Sequence, residues 1–151
     1  MTPYTVLAGA AAVATGLAGG VLYAFSAFVM AGLRRLPPDD GAAAMRGINR
    51  DAVRPPLMAL LLAATGLPVA AAVVGLVGSE PGTAWAVAGA VVAVLGVLGV
   101  TGVGSVPLND RLEAADDPGA EWQRFGGPWL RWNHVRTAAG GVAAGLFVVA
   151  G

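Results

Sequence analysis

The sequence predicts an all-α fold: a four-transmembrane-helix bundle with a short amphipathic interfacial helix between helices one and two. Three observations predict it: how little charge there is, where that charge gathers, and how long the uncharged runs are. Of 151 residues only 12% are charged, where a soluble domain carries about 25%. No Asp, Glu, Lys, Arg or His occurs in 1–33, 55–79, 81–109 or 137–151. A bilayer core roughly 30 Å thick is crossed by about 20 apolar helical residues, and the first three runs exceed that. The length suits one domain, 1–151.

The first run gives a helix over 4–33. It has no basic leader and is too long for a signal-peptide core, so it reads as a retained span. An interfacial helix follows over 39–52, with Asp39 or Asp40 as its cap. Met45, Ile48, Asn49 and Ala52 share one face of it, and Arg46, Arg50 and Arg54 share another. Such a helix lies on a membrane surface with its arginines toward headgroups. Asn49 is an amide on the apolar stripe; it either satisfies a buried backbone group or points into a site. The second span, 55–78, carries Pro68 at its middle, where the missing N–H predicts a kink. Gly78-Ser79-Glu80-Pro81-Gly82 is a tight turn into a third span, 82–108. The fourth run, 137–151, makes only about 22 Å of helix. Reading Gly126-Gly127 as a breaker and Pro128 as a first-turn proline extends it to 128–151, about 36 Å.

All nine basic residues are arginine, and all lie at one side, between helices one and two, between helices three and four, or in the first turns of helix four. The opposite side has Glu80 as its one charged side chain. Excess arginine in short loops predicts that they stay in the cytoplasm and that both termini face outward. Tyr4 and Trp85 mark an outer aromatic belt, Trp122, Trp129 and Trp132 an inner one. Arginine without lysine, with abundant Ala, Gly and Val, suggests a GC-rich bacterial genome and hence an inner-membrane location. Gly16 with Gly20, and Gly141 with Gly145, have small-xxx-small spacing, and Gly96, Gly99 and Gly102 give helix three a similar face. These faces serve contacts within or between bundles, which leaves the oligomeric state open at this level.

The chemistry-bearing residues gather at the arginine side. Asn109 ends helix three, while Trp129, Trp132, Asn133 and Arg136 share one face of helix four. His134 is the one histidine, and histidine is the side chain most often used for proton transfer. The competing reading is an aromatic belt with snorkelling arginines and a histidine bonded to headgroups. Absence of cysteine excludes disulfides and thiolate metal sites. One histidine and no acidic residue within a span argue against a closed metal site and against an ion pathway.

The run FVMAGLRRLPPDDGAAAMRGINRDAVRPPLM, then VPLNDRL, then WNHVRT resembles the anthrone oxygenase-like family of small membrane proteins (DUF1772). The resemblance covers most of the chain, in order. It implies oxidation of a planar, membrane-partitioned aromatic such as an anthrone by molecular oxygen, without a cofactor. The family pattern falls on Asn49, Asn109, Trp132, Asn133, His134 and Arg136. In the mechanism this implies, His134 removes the proton beside the carbonyl. Asn109, Asn133 and Arg136 donate to the developing oxyanion. Trp129 or Trp132 stacks on the ring, and Asn49 and Met45 complete the substrate contact. Expected partners are membrane lipid, an aromatic small molecule and oxygen, with no nucleic acid. The alternatives are a non-enzymatic membrane protein that binds lipid or a hydrophobic ligand, and a haem protein with His134 as axial ligand.

Overall fold

The computed structural model describes residues 2–151. Its five helices, in chain order, are α1 (Pro3–Leu33), α2 (Pro38–Ala52), α3 (Leu57–Gly78), α4 (Thr83–Ala114) and α5 (Pro118–Ala150). Among the described residues there is no strand. α1, α3 and α4 are each long and apolar enough to cross a membrane. Their outward surfaces carry exposed Val13, Leu17, Leu62, Val77, Leu95 and Val103. Such a surface suits a hydrocarbon solvent, where helices satisfy every backbone group internally.

Local chemistry sets the helix ends. Thr2 caps α1, its hydroxyl accepting from the Thr5 N–H at 3.2 Å, with Pro3 in the first turn. α3 stops where Ser79 turns left-handed at φ 53°, and the Thr83 hydroxyl closes the turn into α4 by donating to the Glu80 carbonyl at 2.6 Å. Pro68 sits buried within an uninterrupted α3.

The last helix corrects the expected boundary. It begins at Pro118, not Pro128, and passes through Gly126-Gly127-Pro128 without a break. The true start is Asp117-Pro118, where the Asp117 carboxylate accepts from the Ala120 N–H at 2.9 Å and Glu121 lies in the first turn. Gly126 is used for close approach: a Cβ there would lie 2.7 Å from the Arg34 Nη2. Pro128 and Arg124 are both exposed, so the carbonyl that Pro128 leaves without a donor faces solvent or headgroups.

α1 and α5 meet through small residues, a pairing that the spacing of the glycines leaves open. Gly20, Gly141 and Gly145 meet nothing within 4 Å, and Gly16 meets only the Ala144 methyl at 3.7 Å. The close approach is instead Gly19 on Gly140, where a Cβ on Gly140 would lie 2.8 Å from the Gly19 Cα. Small residues do bring these helices together, but on the adjacent face.

The two ends of the bundle pack differently. Around the α3–α4 turn the core is Ala8, Ala11, Ala71, Ala72, Ala86 and Ala90, with Tyr4 and Phe147, and helices joined through methyl groups lie close. At the arginine end the core is Met30, Met45, Leu112, Trp122, Phe125 and Trp129. Larger side chains hold the helices apart there, and α2 covers that end. Its arginines do more than face headgroups. Arg46 donates to the Leu112 and Ala115 carbonyls, both at 2.9 Å, at the C-terminal end of α4. Arg50 pairs with Glu113 at 2.5 Å.

Candidate functional site

Beneath α2 lies a cavity of about 440 Å³ walled by all five helices. Its lining is mainly apolar: Val21, Leu22 and Phe25 of α1, Met45 and Ile48 of α2, and Leu57, Met58 and Leu61 of α3. Polar groups enter from α2, α4 and α5, as Asn49, Thr101, Ser105, Asn109 and Arg136. An apolar chamber with a few convergent polar groups is the usual form of a small-molecule site.

Backbone irregularities shape this chamber. α1 widens into a π-helical turn over Phe25–Val29, and α4 does so over Val94–Gly99 and Thr101–Ser105. Such turns loosen the regular hydrogen-bond ladder and recur at functional sites. At the first, the Leu22 carbonyl accepts from Asn133 Nδ2 at 2.7 Å, and Ser26 Oγ lies 2.7 Å from the same nitrogen. Asn133 Oδ1 accepts from Arg136 Nη2 at 2.7 Å, and Arg136 Nη1 donates to Thr101 Oγ1 at 3.4 Å. Asn133 thus ties α1 to the guanidinium, and Arg136 ties α5 to α4.

The aromatic wall is Trp129. Its ring centroid lies 5.8 Å from that of Phe25 and 6.1 Å from that of Phe125, and the Arg136 guanidinium carbon lies 5.3 Å from its own. Trp129 Nε1 donates to Asn109 Oδ1 at 3.0 Å, which fixes the indole plane and leaves the Asn109 amide N–H group for other partners.

The anticipated site residues therefore separate. Met45, Asn49, Asn109, Trp129 and Arg136 meet around the cavity. Asn133 is fully buried behind Arg136 and supports it. His134 and Trp132 are exposed and do not line the chamber; Trp132 instead lies over Gly104, where a Cβ would come 2.5 Å from the indole Cδ2. Ser105 is an additional polar wall residue whose sequence context, a lone serine after a glycine-rich run, carries no motif. Pro68 is outside the lining, so the chamber does not depend on it.

The chamber has two approaches. A smaller recess of about 250 Å³ between α2 and α4 shares Asn49, Val53, Val106 and Asn109 with it and is edged by Arg50, Asp110 and Glu113. On the apolar side, α3 packs on α4 chiefly along Thr83–Ala93. The chamber is flanked there by Leu57 and Leu61 on one helix and Thr101 and Val106 on the other.

The family model described as anthrone oxygenase matches residues 44–146. That span runs from within α2 to near the end of α5 and holds every wall of the chamber except the α1 residues. No curated protein and no solved structure matches the chain.

Proposed function

The chain belongs to the anthrone oxygenase family, and from that premise we propose that its cavity binds a planar aromatic substrate of the anthrone kind and supports its oxidation by molecular oxygen. The observation that carries this reading is the chamber itself. It is apolar, walled by the Trp129 ring, and lined at a few points by groups that hydrogen-bond oxygen. A flat tricyclic ketone has those same features in complement. Trp129 would lie against a ring face, and the Asn109 amide, Asn49 and Arg136 would meet carbonyl or hydroxyl oxygens.

The chemistry balances with oxygen alone. The methylene opposite the anthrone carbonyl loses a proton to water, and the anion reduces oxygen, forms a C–O bond to it and regains a proton from water as the hydroperoxide. Loss of the second methylene proton with O–O cleavage gives the quinone carbonyl and one water. The substrate supplies all the electrons. His134, exposed and away from the chamber, is given no proton in this scheme.

The same reading extends to placement. α5 lies along α1 over much of its length and exposes Val142, Val148 and Val149, which supports it as a fourth crossing. The arginine end would then face the cytoplasm of a bacterial inner membrane, with both termini outside. A hydrophobic substrate would enter from the bilayer between α3 and α4.

The test uses purified protein in phosphatidylcholine nanodiscs with anthrone as probe. The expected result is anthraquinone formed faster than in empty nanodiscs, with one oxygen molecule consumed per product. Trp129→Ala should slow it by about tenfold, the equivalent of one lost aromatic contact of about 1.4 kcal/mol. A rate equal to that of empty nanodiscs refutes the oxygenase reading.

A further inference from the structure

We propose that the cavity holds its ligand as an oxyanion, a phenolate or enolate, and ionises it through Arg136, Ser105 and Asn49 rather than through a protein base. This rests on the reading of the chamber as the ligand site and specifies the charge state in which that ligand is bound.

The first observation is Arg136. It is only 6% exposed, and among the described residues no carboxylate pairs with it. Its two Nη groups donate to neutral oxygens on Asn133 and Thr101, and its Nε has no partner. A buried charge is costly unless an opposite charge meets it. The second observation is independent of the first. Ser105 Oγ and Asn49 Nδ2 are also buried without partners, and both residues line the same chamber. Buried polar atoms are normally satisfied, and these three, on residues that line one cavity, suit an acceptor bound within it. The guanidinium and the Asn49 amide nitrogen only donate, and the serine hydroxyl can. The complementary group is an oxygen bearing negative charge on an otherwise apolar body.

The third observation concerns the proton. The ionisable residues lining the chamber are Arg136 and Asp51. Asp51 has a side chain 77% exposed and bonded to Arg54 at 3.3 Å, so it belongs to solvent. The recess beyond adds Arg50, Glu113 and Asp110, of which the first two pair with each other. The segments of α1, α3 and α4 that form the wall present no ionisable group to it. A free phenol ionises near pH 10, and a cation within about 4–6 Å lowers an acid's pKa by roughly 1–3 units. In the proposed step only the ligand O–H bond breaks. Its electron pair stays on oxygen against the guanidinium, and the proton passes to water through the recess between α2 and α4.

The experiment titrates 2-naphthol, whose phenolate absorbs at longer wavelength than the phenol, against the protein in phosphatidylcholine nanodiscs. The bound probe should ionise about 1–3 pH units lower than in empty nanodiscs. At about pH 10, near the free phenol's own pKa, 2-methoxynaphthalene, which cannot ionise, should bind at least about fivefold more weakly, since a one-unit shift leaves the bound probe almost wholly ionised where the free probe is about half ionised. Arg136→Met should abolish the shift and Arg136→Lys should keep most of it. If the first of these does not fold, Ser105→Ala decides by showing a reduced shift. An unshifted or raised pKa in the unmodified protein, or equal affinity for the methyl ether, overturns the proposal. A depressed pKa without anthrone oxidation supports it while removing the oxygenase reading; oxidation with an undepressed pKa does the reverse.

Discussion

At the residue scale the site hangs on Asn133. Its amide donates to α1 and its carbonyl accepts from Arg136, so one fully buried side chain holds both the Leu22 carbonyl and the guanidinium in place. Asn133→Ala strands groups on each side and should cost about 1–3 kcal/mol of stability, read as a lowered Tm in a thermal melt. His134 predicts the opposite. Exposed and outside the chamber, it should be replaceable by alanine with less than about 0.5 kcal/mol of change, and anthrone turnover should stay at the unmodified rate. The sequence contained the means to separate these two neighbours. The period that brings Trp129, Asn133 and Arg136 together turns each successive residue by about 100°, which carries His134 off that face. Its chemistry drew attention that its position does not support. Ser105 was illegible for a different reason, since burial of a lone hydroxyl among glycines depends on the irregular turns of α4.

At the element scale, legibility followed the strength of local signals. The uncharged runs placed α1, α3 and α4 to within a few residues at most ends, because an unbroken apolar stretch admits few alternatives. α5 was misplaced at its start, since Gly126-Gly127-Pro128 is a stronger breaker pattern than Asp117-Pro118 is a starter. Tertiary contact reversed that ranking: Gly126 is held under Arg34, and Pro128 is exposed where its missing bond costs least. Glycine pairing was legible in kind but not in register, because an Ala/Gly-rich helix offers several small faces and only long-range packing selects one. This gives a paired prediction. Gly140→Leu would drive a side chain into the Gly19 backbone and should destabilise by about 1–3 kcal/mol or more, whereas Gly141 is exposed and a Cβ there meets nothing within 4 Å, so Gly141→Leu should leave the melting temperature nearly unchanged. Equal melting temperatures for the two variants would place the α1–α5 contact elsewhere.

At the scale of the whole molecule, two halves of one bundle serve two purposes. Alanine and glycine close the end that holds the α3–α4 turn, while methionine, phenylalanine and tryptophan open the arginine end and α2 roofs it. The asymmetry of charge was visible in the sequence, and the asymmetry of side-chain volume explains why the chamber lies at the same end. The proposed topology has a direct check, because the chain contains no cysteine. Gly151→Cys should react with a membrane-impermeant maleimide applied from outside intact cells, and Ala115→Cys only after lysis. Labelling of both from one side would contradict a fourth crossing by α5.

The central claim is that the chamber beneath α2 is where the ligand sits, and photolabelling tests it most directly. An anthraquinone bearing a diazirine, irradiated with the protein in nanodiscs and mapped by peptide mass spectrometry, should mark α4 between Thr101 and Asn109 and α5 between Trp129 and Arg136. Excess unlabelled anthraquinone should suppress that labelling. Labelling confined to the Tyr4–Phe147 end, or spread over the lipid-facing surface and unaffected by competitor, would contradict the account.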